Sequence, residues 1–326
     1  MPASPAQNLR SSTPATRAFL ESRAETCNTD SQATYAATLR PFEAWLSGRP
    51  ISAALISAYL IERRKRGLAN ATLGNDHRML KTMCRWLVEF AYLEADPFQG
   101  PGRVRPPGRK RRRRQVYSED QVVQLLITAE QRVREREDTQ KWRPSKNPYL
   151  LRDAQQAKAL ILLLCDSALR AGEVCALNCG QIRAGEFIVL GKGGHEDAAF
   201  ITLATREALQ TLADNRDDDA PLFLDIDQGR CTTRALRGCF TRMAELADVP
   251  LLPRPLHSFR HLAARQWLKS GLGDLTIRQL MRHSDLSTTR IYTELDAAEL
   301  AALHMQASPI GRFLEAAKAT TRDKTT

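Results

Sequence analysis

A stretch rich in proline, glycine and arginine at residues 99–115 divides the sequence into two parts, each of which is expected to form a domain with its own core. Six consecutive basic residues within it, at 109–114, carry too much like charge to pack together, so we expect an extended linker. The flanking amphipathic patterns predict a helical domain over residues 13–98 and a second domain over residues 116–315. A chain of 326 residues is long enough for two such cores.

Three helical patterns are recognisable in the first domain. One has an apolar stripe at helical spacing, formed by Tyr35, Leu39, Phe42 and Leu46. Pro41 lies within this stripe and should kink the helix or split it. The second helix is expected over about residues 52–66, with Gly67 as its stop. The third is expected over about residues 71–90, with buried positions at Leu73, Leu80, Cys84, Leu87 and Phe90.

Basic side chains dominate the polar faces of the second and third helices: Arg63, Arg64, Lys65, Arg66, Arg78, Lys81 and Arg85. Charged residues on a helix face often only keep that face in contact with solvent. Here this interpretation and contact with phosphate groups are given equal weight. The formal net charge of +11 suits a polyanionic partner, either nucleic acid or an anionic membrane surface. No apolar stretch approaches the roughly 18 residues needed to span a membrane, so no membrane association is expected.

The linker cations admit three interpretations: a nuclear targeting signal, a nonspecific polyanion tether, or a segment that follows a DNA backbone. Because both flanking domains are basic, we predict the last, with contacts from Arg109, Lys110, Arg111 and Arg112. Loose polar tails are expected at residues 1–12 and 316–326, and the first lacks the apolar core of a secretory signal. Seven scattered cysteines are expected to be reduced thiols, which fits a cytoplasmic protein.

The second domain is predicted to be mainly helical with a small β-sheet. It opens with a capping box, Ser118 and Gln121, and a buried helix is expected over residues 157–165. Residues 132–147 are highly charged without apolar periodicity and predict a surface excursion. Apolar runs at 187–190 and 200–203 predict two strands around the glycine-rich turn 191–194. A C-terminal apolar helix at 295–305 is compatible with packing on its own domain or on a neighbouring subunit.

An ordered set of residues in the second domain carries the chemistry: Arg170, Glu173, His257, Arg260, His283 and Tyr292. An arginine fork matches phosphate oxygens bidentately, and its charge persists at all ordinary pH values. Histidine can accept or donate a proton near neutral pH. A tyrosine oxygen can form a covalent intermediate once it has lost its proton. Together these residue types suit an enzyme that holds and attacks a phosphodiester.

The order and local sequence of these residues resemble the tyrosine recombinases, also called the phage integrase family, and especially the Xer-type and integron-type branches. The resemblance spans about residues 13–309 and is carried by Leu151–Asp153, Ala168–Glu173, Gly191–Gly193, His257–His261 and Ser287–Tyr292. It implies a two-domain, C-shaped DNA clamp, with a helical SAM-like core-binding domain and a tyrosine recombinase catalytic domain. It also implies cutting and rejoining of DNA through a 3′-phosphotyrosyl bond.

Each catalytic residue has a role in this chemistry. Arg170 and Arg260 would clamp the scissile phosphate, and Lys192 would protonate the leaving 5′ oxygen. His257 would accept the proton of the nucleophile or donate a hydrogen bond to the phosphate. The remaining roles are Glu173 as an orienting carboxylate, His283 as a phosphate or tyrosine contact, and Tyr292 as nucleophile. The family usually has Gly immediately before this last histidine, where this chain has Arg282.

The expected partner is double-stranded DNA with inverted-repeat core sites, on which the protein would assemble into a tetramer, with or without a second recombinase. Integration, excision and resolution of DNA elements are all compatible tasks, and nucleoid association would follow. No cofactor and no metal are expected; a His257–His261 metal pair is disfavoured because no Glu follows His257 as in zinc proteases. The alternatives are relaxation of DNA as in type IB topoisomerases, a non-catalytic DNA-binding protein, and a metal-dependent nuclease.

Overall fold

The computed structural model describes residues 12–27, 29–108, 115–142, 149–183, 188–190, 196–282 and 297–323. The chain divides into two compact units, residues 1–113 and 114–326. Each unit has its own hydrophobic core.

The first unit contains four described helices: α1 (Ser12–Thr26), α2 (Thr29–Leu46), α3 (Ala53–Lys65) and α4 (Asn70–Glu89). Their apolar faces meet in one core, and Phe19 contacts both Tyr35 and Trp86 edge to face. Helix α3 begins as the sequence indicates, because the hydroxyl oxygen of Ser52 accepts a hydrogen bond from the Leu55 amide at 3.3 Å. The three predicted helices are therefore present, and α1 precedes them.

Two details of the first unit bear on these expectations. Of the two effects expected of Pro41, a kink or a split, the split is not observed, because Pro41 lies inside α2, which runs unbroken to Leu46. Leu39 and Phe42, on either side of the proline, are fully buried, and this packing offsets the missing backbone hydrogen bond. Phe90 was predicted to be buried but is 53% exposed, because it follows the end of α4, where its ring stacks on Trp86 with centroids 4.6 Å apart.

The second unit is built around one nearly all-buried helix, α6. Its helices are α5 (Glu119–Trp142), α6 (Tyr149–Ser167), α7 (Ala171–Ala176), α8 (Cys179–Arg183), α9 (Leu203–Ala213), α10 (Thr233–Leu246), α11 (Pro255–Lys269), α12 (Asp274–Leu280), α13 (Ala297–Ala307) and α14 (Ile310–Asp323). Helices α5, α9, α10 and α11 pack directly on α6. The apolar run at 157–165 is the middle of this central helix, as predicted.

The helix α5 extends further than its sequence pattern suggests. Its start is the predicted capping box: the Ser118 amide donates to Gln121 Oε1 at 2.9 Å, and the Gln121 amide donates to Ser118 Oγ at 3.2 Å. The helix then continues to Trp142, so the surface excursion predicted from residue 132 is wrong up to that point. Val133 is buried, and the ion pair between Arg134 and Glu130 joins adjacent turns of the helix across residue 132, which stabilises the helix without a long apolar stripe.

Of the two predicted strands, one is correct and one is misplaced. β1 (Ile188–Leu190) pairs antiparallel with β2 (Glu196–Ala198), with Ile188 opposite Ala198. The predicted strand at 200–203 is absent because the backbone N–H and hydroxyl of Thr202 both donate to Asp166 Oδ2, at 2.6 and 2.8 Å. Helix α9 begins at the next residue. The predicted turn between the strands lies outside the described residues.

The C-terminal segment packs on its own domain in this structure, one of the two arrangements compatible with the sequence. Helix α13 contacts α12, and α14 lies against α5 and α6. Ile310 and Phe313 are buried in the main core of the unit. The tail predicted from residue 316 is not observed, since α14 continues to Asp323. None of the helices in the described ranges is long and apolar enough to cross a membrane.

Candidate active site

The carboxyl ends of α6 and α12 meet at the site. The last carbonyl groups of any helix have no partner within it and attract cations. Ser167 is the last residue of α6, and Ala168 follows in a left-handed turn with φ of 54°. Leu280 and Met281 are the corresponding pair at the end of α12. Two buried arginine side chains bond to these four carbonyl groups.

Arg260 is the first of these arginines. It lies on α11 and is only 2% exposed. One of its terminal nitrogens donates to the carbonyl of Ala168 at 2.6 Å, and the other donates to the carbonyl of Met281. Burial, together with the neighbouring charges of Arg170 and Arg282, lowers the pKa of Arg260 to about 10. The guanidinium is therefore charged at neutral pH and fixed in its plane.

Arg282 is the second, and its contribution was not predicted from the sequence. Its side chain is 4% exposed. It donates to the carbonyl of Leu280 at 3.0 Å, to that of Ser167 at 3.3 Å, and to Glu173 Oε2 at 3.4 Å. Burial lowers the pKa of Arg282, although the carboxylate of Glu173 opposes this effect. The only feature of the sequence that drew attention to Arg282 is that the family usually has glycine at this position.

Arg170 and Glu173 form the third part of the site. Arg170 occupies the N-cap position of α7, and Glu173 lies in the first turn of that helix. Glu173 Oε2 accepts the Arg170 amide N–H at 2.8 Å, and Oε1 accepts from the Arg170 guanidinium at 2.5 Å. Burial raises the pKa of Glu173, but the Arg170 amide and the charges of Arg282 and Arg170 outweigh it, so the pKa lies below its usual value. The Arg170 side chain is 41% exposed and therefore accessible to a ligand.

The charges at this site do not cancel. Three guanidinium groups, those of Arg170, Arg260 and Arg282, lie around the carboxylate of Glu173, which leaves a formal excess of two positive charges among these four described groups. The carboxylate of Asp197 also attracts Arg282, as a smaller effect than that of Glu173. An excess of fixed positive charge in a partly desolvated site favours an anionic ligand, and most strongly one whose charge grows during a reaction.

His257 lies in the first turn of α11, one turn before Arg260, and its side chain is exposed. Its ring contacts that of His261 edge to face, with centroids 4.6 Å apart. Within the described ranges, no group of three or more His, Cys, Asp or Glu residues is arranged to hold a metal ion. The structure thus brings Arg170, Glu173 and Arg260 together, whereas Lys192, His283 and Tyr292 lie outside the residues it describes.

The predicted DNA-contacting residues of the first unit differ in their surroundings. Arg63 is half-buried and pairs with Asp76 at 3.1 Å, which ties α3 to α4. Arg66 pairs with Glu62 on its own helix, and Arg85 lies 4.0 Å from Asp96. The exposed members are Arg64, Lys65, Arg66, Arg78 and Arg85, while Lys81 is half-buried. The predicted linker contacts at 109–112 fall on undescribed residues.

A buried polar network anchors the C-terminal segment beside the site. Asp166 is fully buried, and its Oδ1 bonds to His304 Nε2 at 2.9 Å and to the Ser308 hydroxyl at 2.6 Å. Its Oδ2 accepts the two hydrogen bonds from Thr202. Asp166 directly precedes Ser167, so the network joins α13 and the start of α9 to the end of α6. No sequence spacing links these residues, and the network was not predicted.

Replacing Asp166 with Asn is expected to lower the free energy of unfolding by about 1–3 kcal/mol at neutral pH, because an amide cannot replace both acceptor oxygens of the carboxylate and therefore leaves buried donors unsatisfied. Burial raises the pKa of Asp166, but the bonds from His304, Ser308 and Thr202 outweigh this and lower it overall. A depressed carboxyl pKa adds stability above its unfolded value, about 3.9, and this stability is lost as pH falls through the folded pKa. Urea unfolding across acidic to neutral pH should therefore show a steeper acid loss for wild type than for the variant.

The matched control for this change is Asp153→Asn. Asp153 forms a surface ion pair with Arg242 at 2.6 Å. Such exposed pairs contribute about 0–1 kcal/mol, so the control should unfold nearly as wild type does. Equal losses in the two variants would show that the Asp166 network does not stabilise the domain.

The fold and site define a class: a mainly helical protein with an arginine-rich anion site. Comparisons with known proteins then give the family, because residues 116–299 match the phage integrase family. The chain is 31% identical over 261 residues to the tyrosine recombinase XerC of Erythrobacter litoralis, covering 79% of this chain and 80% of that one. It is 26% identical to XerC of Mycobacterium bovis, with coverage of 84% and 91%.

Two solved structures resemble the fold at low sequence identity. A lambda integrase tetramer bound to a Holliday junction aligns with a TM-score of 0.61 at 15% identity, covering 86% of this chain and 80% of that one. The Tn1549 transposon integrase in complex with circular intermediate DNA aligns with a TM-score of 0.62 at 15% identity, with coverage of 90% and 98%. The protein belongs to the phage integrase family of tyrosine recombinases and is an enzyme of site-specific DNA recombination.

Proposed function

We propose that the protein cuts one DNA strand by attack of the Tyr292 oxygen on a phosphodiester. The new bond is a 3′-phosphotyrosyl ester, and the bond that breaks releases a free 5′-hydroxyl. A 5′-hydroxyl from another strand reverses the step, so joining needs neither ATP nor a metal. The observation that carries this proposal is the excess of two positive charges held by Arg170, Arg260 and Arg282 around Glu173.

Each side chain has one part in this reaction. Arg170 is accessible and binds the scissile phosphate, while Arg260 is rigidly held and stabilises the extra negative charge of the transition state. Glu173 orients Arg170. His257 accepts the tyrosine proton or donates a hydrogen bond to the phosphate, and His283 contacts the phosphate or the tyrosine. Lys192 protonates the leaving 5′ oxygen.

The substrate is duplex DNA with inverted-repeat core sites, which is bound by a helical core-binding domain and a catalytic domain. The solved relatives include an integrase tetramer on a Holliday junction and a transposon integrase on DNA, which supports a tetramer that assembles on its sites. The task is integration, excision or resolution of a DNA element, with or without a second recombinase. The enzyme works in the cytoplasm, associated with the nucleoid.

A suicide substrate tests the chemistry. In a core site nicked near the cleavage point, a short DNA fragment dissociates after the attack. The strand cannot be rejoined without this fragment, so the protein stays covalently attached to the cleaved DNA. We expect a covalent adduct at the 3′ phosphate, formed in the presence of a chelator, with the attached peptide containing Tyr292. Two sites on one plasmid should also be recombined. Efficient supercoil relaxation without any joining of two sites would favour a topoisomerase, and the absence of an adduct would favour a DNA-binding protein.

Salt dependence is expected to report the linker contacts. If the basic run at 109–114 follows the DNA backbone, replacing it with Gly and Ser should weaken binding to all sequences about equally. The slope of log affinity against log salt should shrink by about 0.9 for each phosphate that the variant no longer neutralises. Fluorescence anisotropy from low to moderate salt measures this slope. As a control, replacing Arg134 and Lys141, two exposed residues of α5, with Ser should leave the slope unchanged. Poorer discrimination between cognate and random DNA at an unchanged slope would contradict the prediction.

A further inference from the structure

We propose that Arg282 is a positioning residue for strand cleavage: its guanidinium holds Glu173, and Glu173 in turn orients Arg170 toward the scissile phosphate. The inference rests on the proposed roles of Arg170 and Arg260 in the cleavage reaction. It adds a residue that the catalytic set of Arg170, Lys192, His257, Arg260, His283 and Tyr292 does not contain.

Arg282 and Arg260 have parallel positions in the structure. Arg260 bonds to Ala168 and Met281, the residues that directly follow α6 and α12. Arg282 bonds to Ser167 and Leu280, the last residues within the same two helices. Two planar forks therefore join the same pair of helix ends, side by side. A guanidinium can do this because it presents five donors in a fixed plane.

Arg282 differs from Arg260 in its contact with Glu173. The same oxygen, Glu173 Oε2, accepts from the Arg170 amide at 2.8 Å and from Arg282 at 3.4 Å. The other oxygen holds the Arg170 guanidinium. Arg282 therefore acts on Arg170 through one shared carboxylate. Removal of the Arg282 side chain would leave that carboxylate buried with one cation fewer and freer to shift.

The backbone conformation at Arg282 is one that favours glycine over a residue with a side chain. Its φ of 53° lies in the left-handed region, which glycine adopts without strain and other residues rarely adopt. Glycine at this position would relieve the backbone but remove the link to Glu173. Arg282→Gly thus deletes the guanidinium without adding strain, and it is the informative variant.

Single-turnover cleavage of a nicked core site is the main test. Arg282→Gly is expected to cleave about 10- to 100-fold more slowly than wild type, because a shift of about 1 Å in the position of a reacting group can lower the rate by about 100-fold. DNA binding should stay within a few fold. The control Arg278→Ala, in the preceding helix α12, removes an exposed cation paired with Asp274 and should cleave at the wild-type rate. A wild-type rate for folded Arg282→Gly would overturn the proposal.

The pH profile separates positioning from simple helix capping. The charge of Arg282 lowers the pKa of Glu173, so its removal should raise that pKa and move the acid limb of the cleavage rate to higher pH. A helix cap that acts only on stability would leave the limb in place. Combining the change with Glu173→Gln adds a second criterion. In the Glu173→Gln background, Arg282→Gly should lower the cleavage rate by less than about 2-fold, because the carboxylate through which Arg282 acts on Arg170 is already absent. Additive losses or an unmoved limb would overturn the proposal.

Arg282→Lys covers the case in which the glycine variant does not fold. Lysine keeps the charge near Glu173 but cannot join two helix ends as a fork. It should leave the acid limb near that of wild type and slow cleavage several fold. A folded lysine variant with the wild-type rate would overturn the proposal. Arg170→Ala is tested in parallel: wild-type cleavage by that variant would remove the proposed phosphate role itself, independently of Arg282.

Discussion

Tyr292→Phe is expected to abolish strand cleavage while DNA binding stays within a few fold of wild type. Phenylalanine keeps the ring and removes only the oxygen that would form the phosphotyrosyl bond. Loss of a covalent nucleophile lowers enzymatic rates by as much as about 10⁶-fold, so no adduct should accumulate on a suicide substrate during hours of incubation. Denaturing gels with labelled DNA measure the adduct, and electrophoretic mobility shifts measure binding.

The control for this prediction is Tyr149→Phe. Tyr149 starts α6 in the same unit and is 44% exposed, so its change removes a tyrosine hydroxyl without disturbing the core. This variant should form the adduct at the wild-type rate. If the Tyr292 variant still formed a covalent adduct, another residue would be the nucleophile, and the peptide attached to DNA would identify it.

Arg260→Ala is expected to have the second largest effect, because it would remove the proposed stabilisation of the phosphate together with an observed bridge between two helix ends. Loss of a group that stabilises transition-state charge lowers cleavage by about 10²- to 10³-fold. The change also leaves the carbonyls of Ala168 and Met281 without this donor, at about 1–3 kcal/mol for each buried group left unsatisfied. Single-turnover cleavage and urea unfolding, measured on the same preparation, should both show a loss.

Two further variants separate these contributions. Arg260→Lys keeps a positive charge but cannot bond both helix ends, so its stability should resemble that of the alanine variant while its cleavage rate lies between alanine and wild type. Arg265→Ala removes an exposed arginine from the same helix α11 and should match wild type in both measurements. A normal cleavage rate in a destabilised Arg260→Ala protein would show that Arg260 is structural only.

Local patterns were sufficient where neighbouring residues decide the structure. The capping box at Ser118 and Gln121 forms as expected, because both bonds join residues three apart in sequence. The apolar run at 157–165 became the central helix, since an almost continuous apolar segment must be buried on every side. Family resemblance added the catalytic order and the recombinase assignment, and the comparisons support that assignment independently.

The patterns failed where a distant partner decides the local conformation. The segment 200–203 has strand composition, but Thr202 bonds to Asp166, 36 residues away, and a helix starts instead. Phe90 has the right spacing to be buried, yet the helix ends before it and the ring stacks on Trp86 near the surface. Charged residues after 132 concealed the continuation of α5, because an ion pair within the helix, Arg134–Glu130, stabilises it without adding an apolar period.

By itself, the sequence determined the two-part organisation, the helical class, the excess of positive charge and the identity of residues suited to phosphodiester chemistry, since each follows from composition or from spacing along one chain. Only the tertiary structure decided how those residues are held. Arg260 and Arg282 bond to carbonyls at the ends of two helices that are far apart in sequence, and Asp166 pairs with His304 across 138 residues. Such contacts arise when separate helices pack around one core, because burial then forces every polar group to find a partner wherever the chain places one.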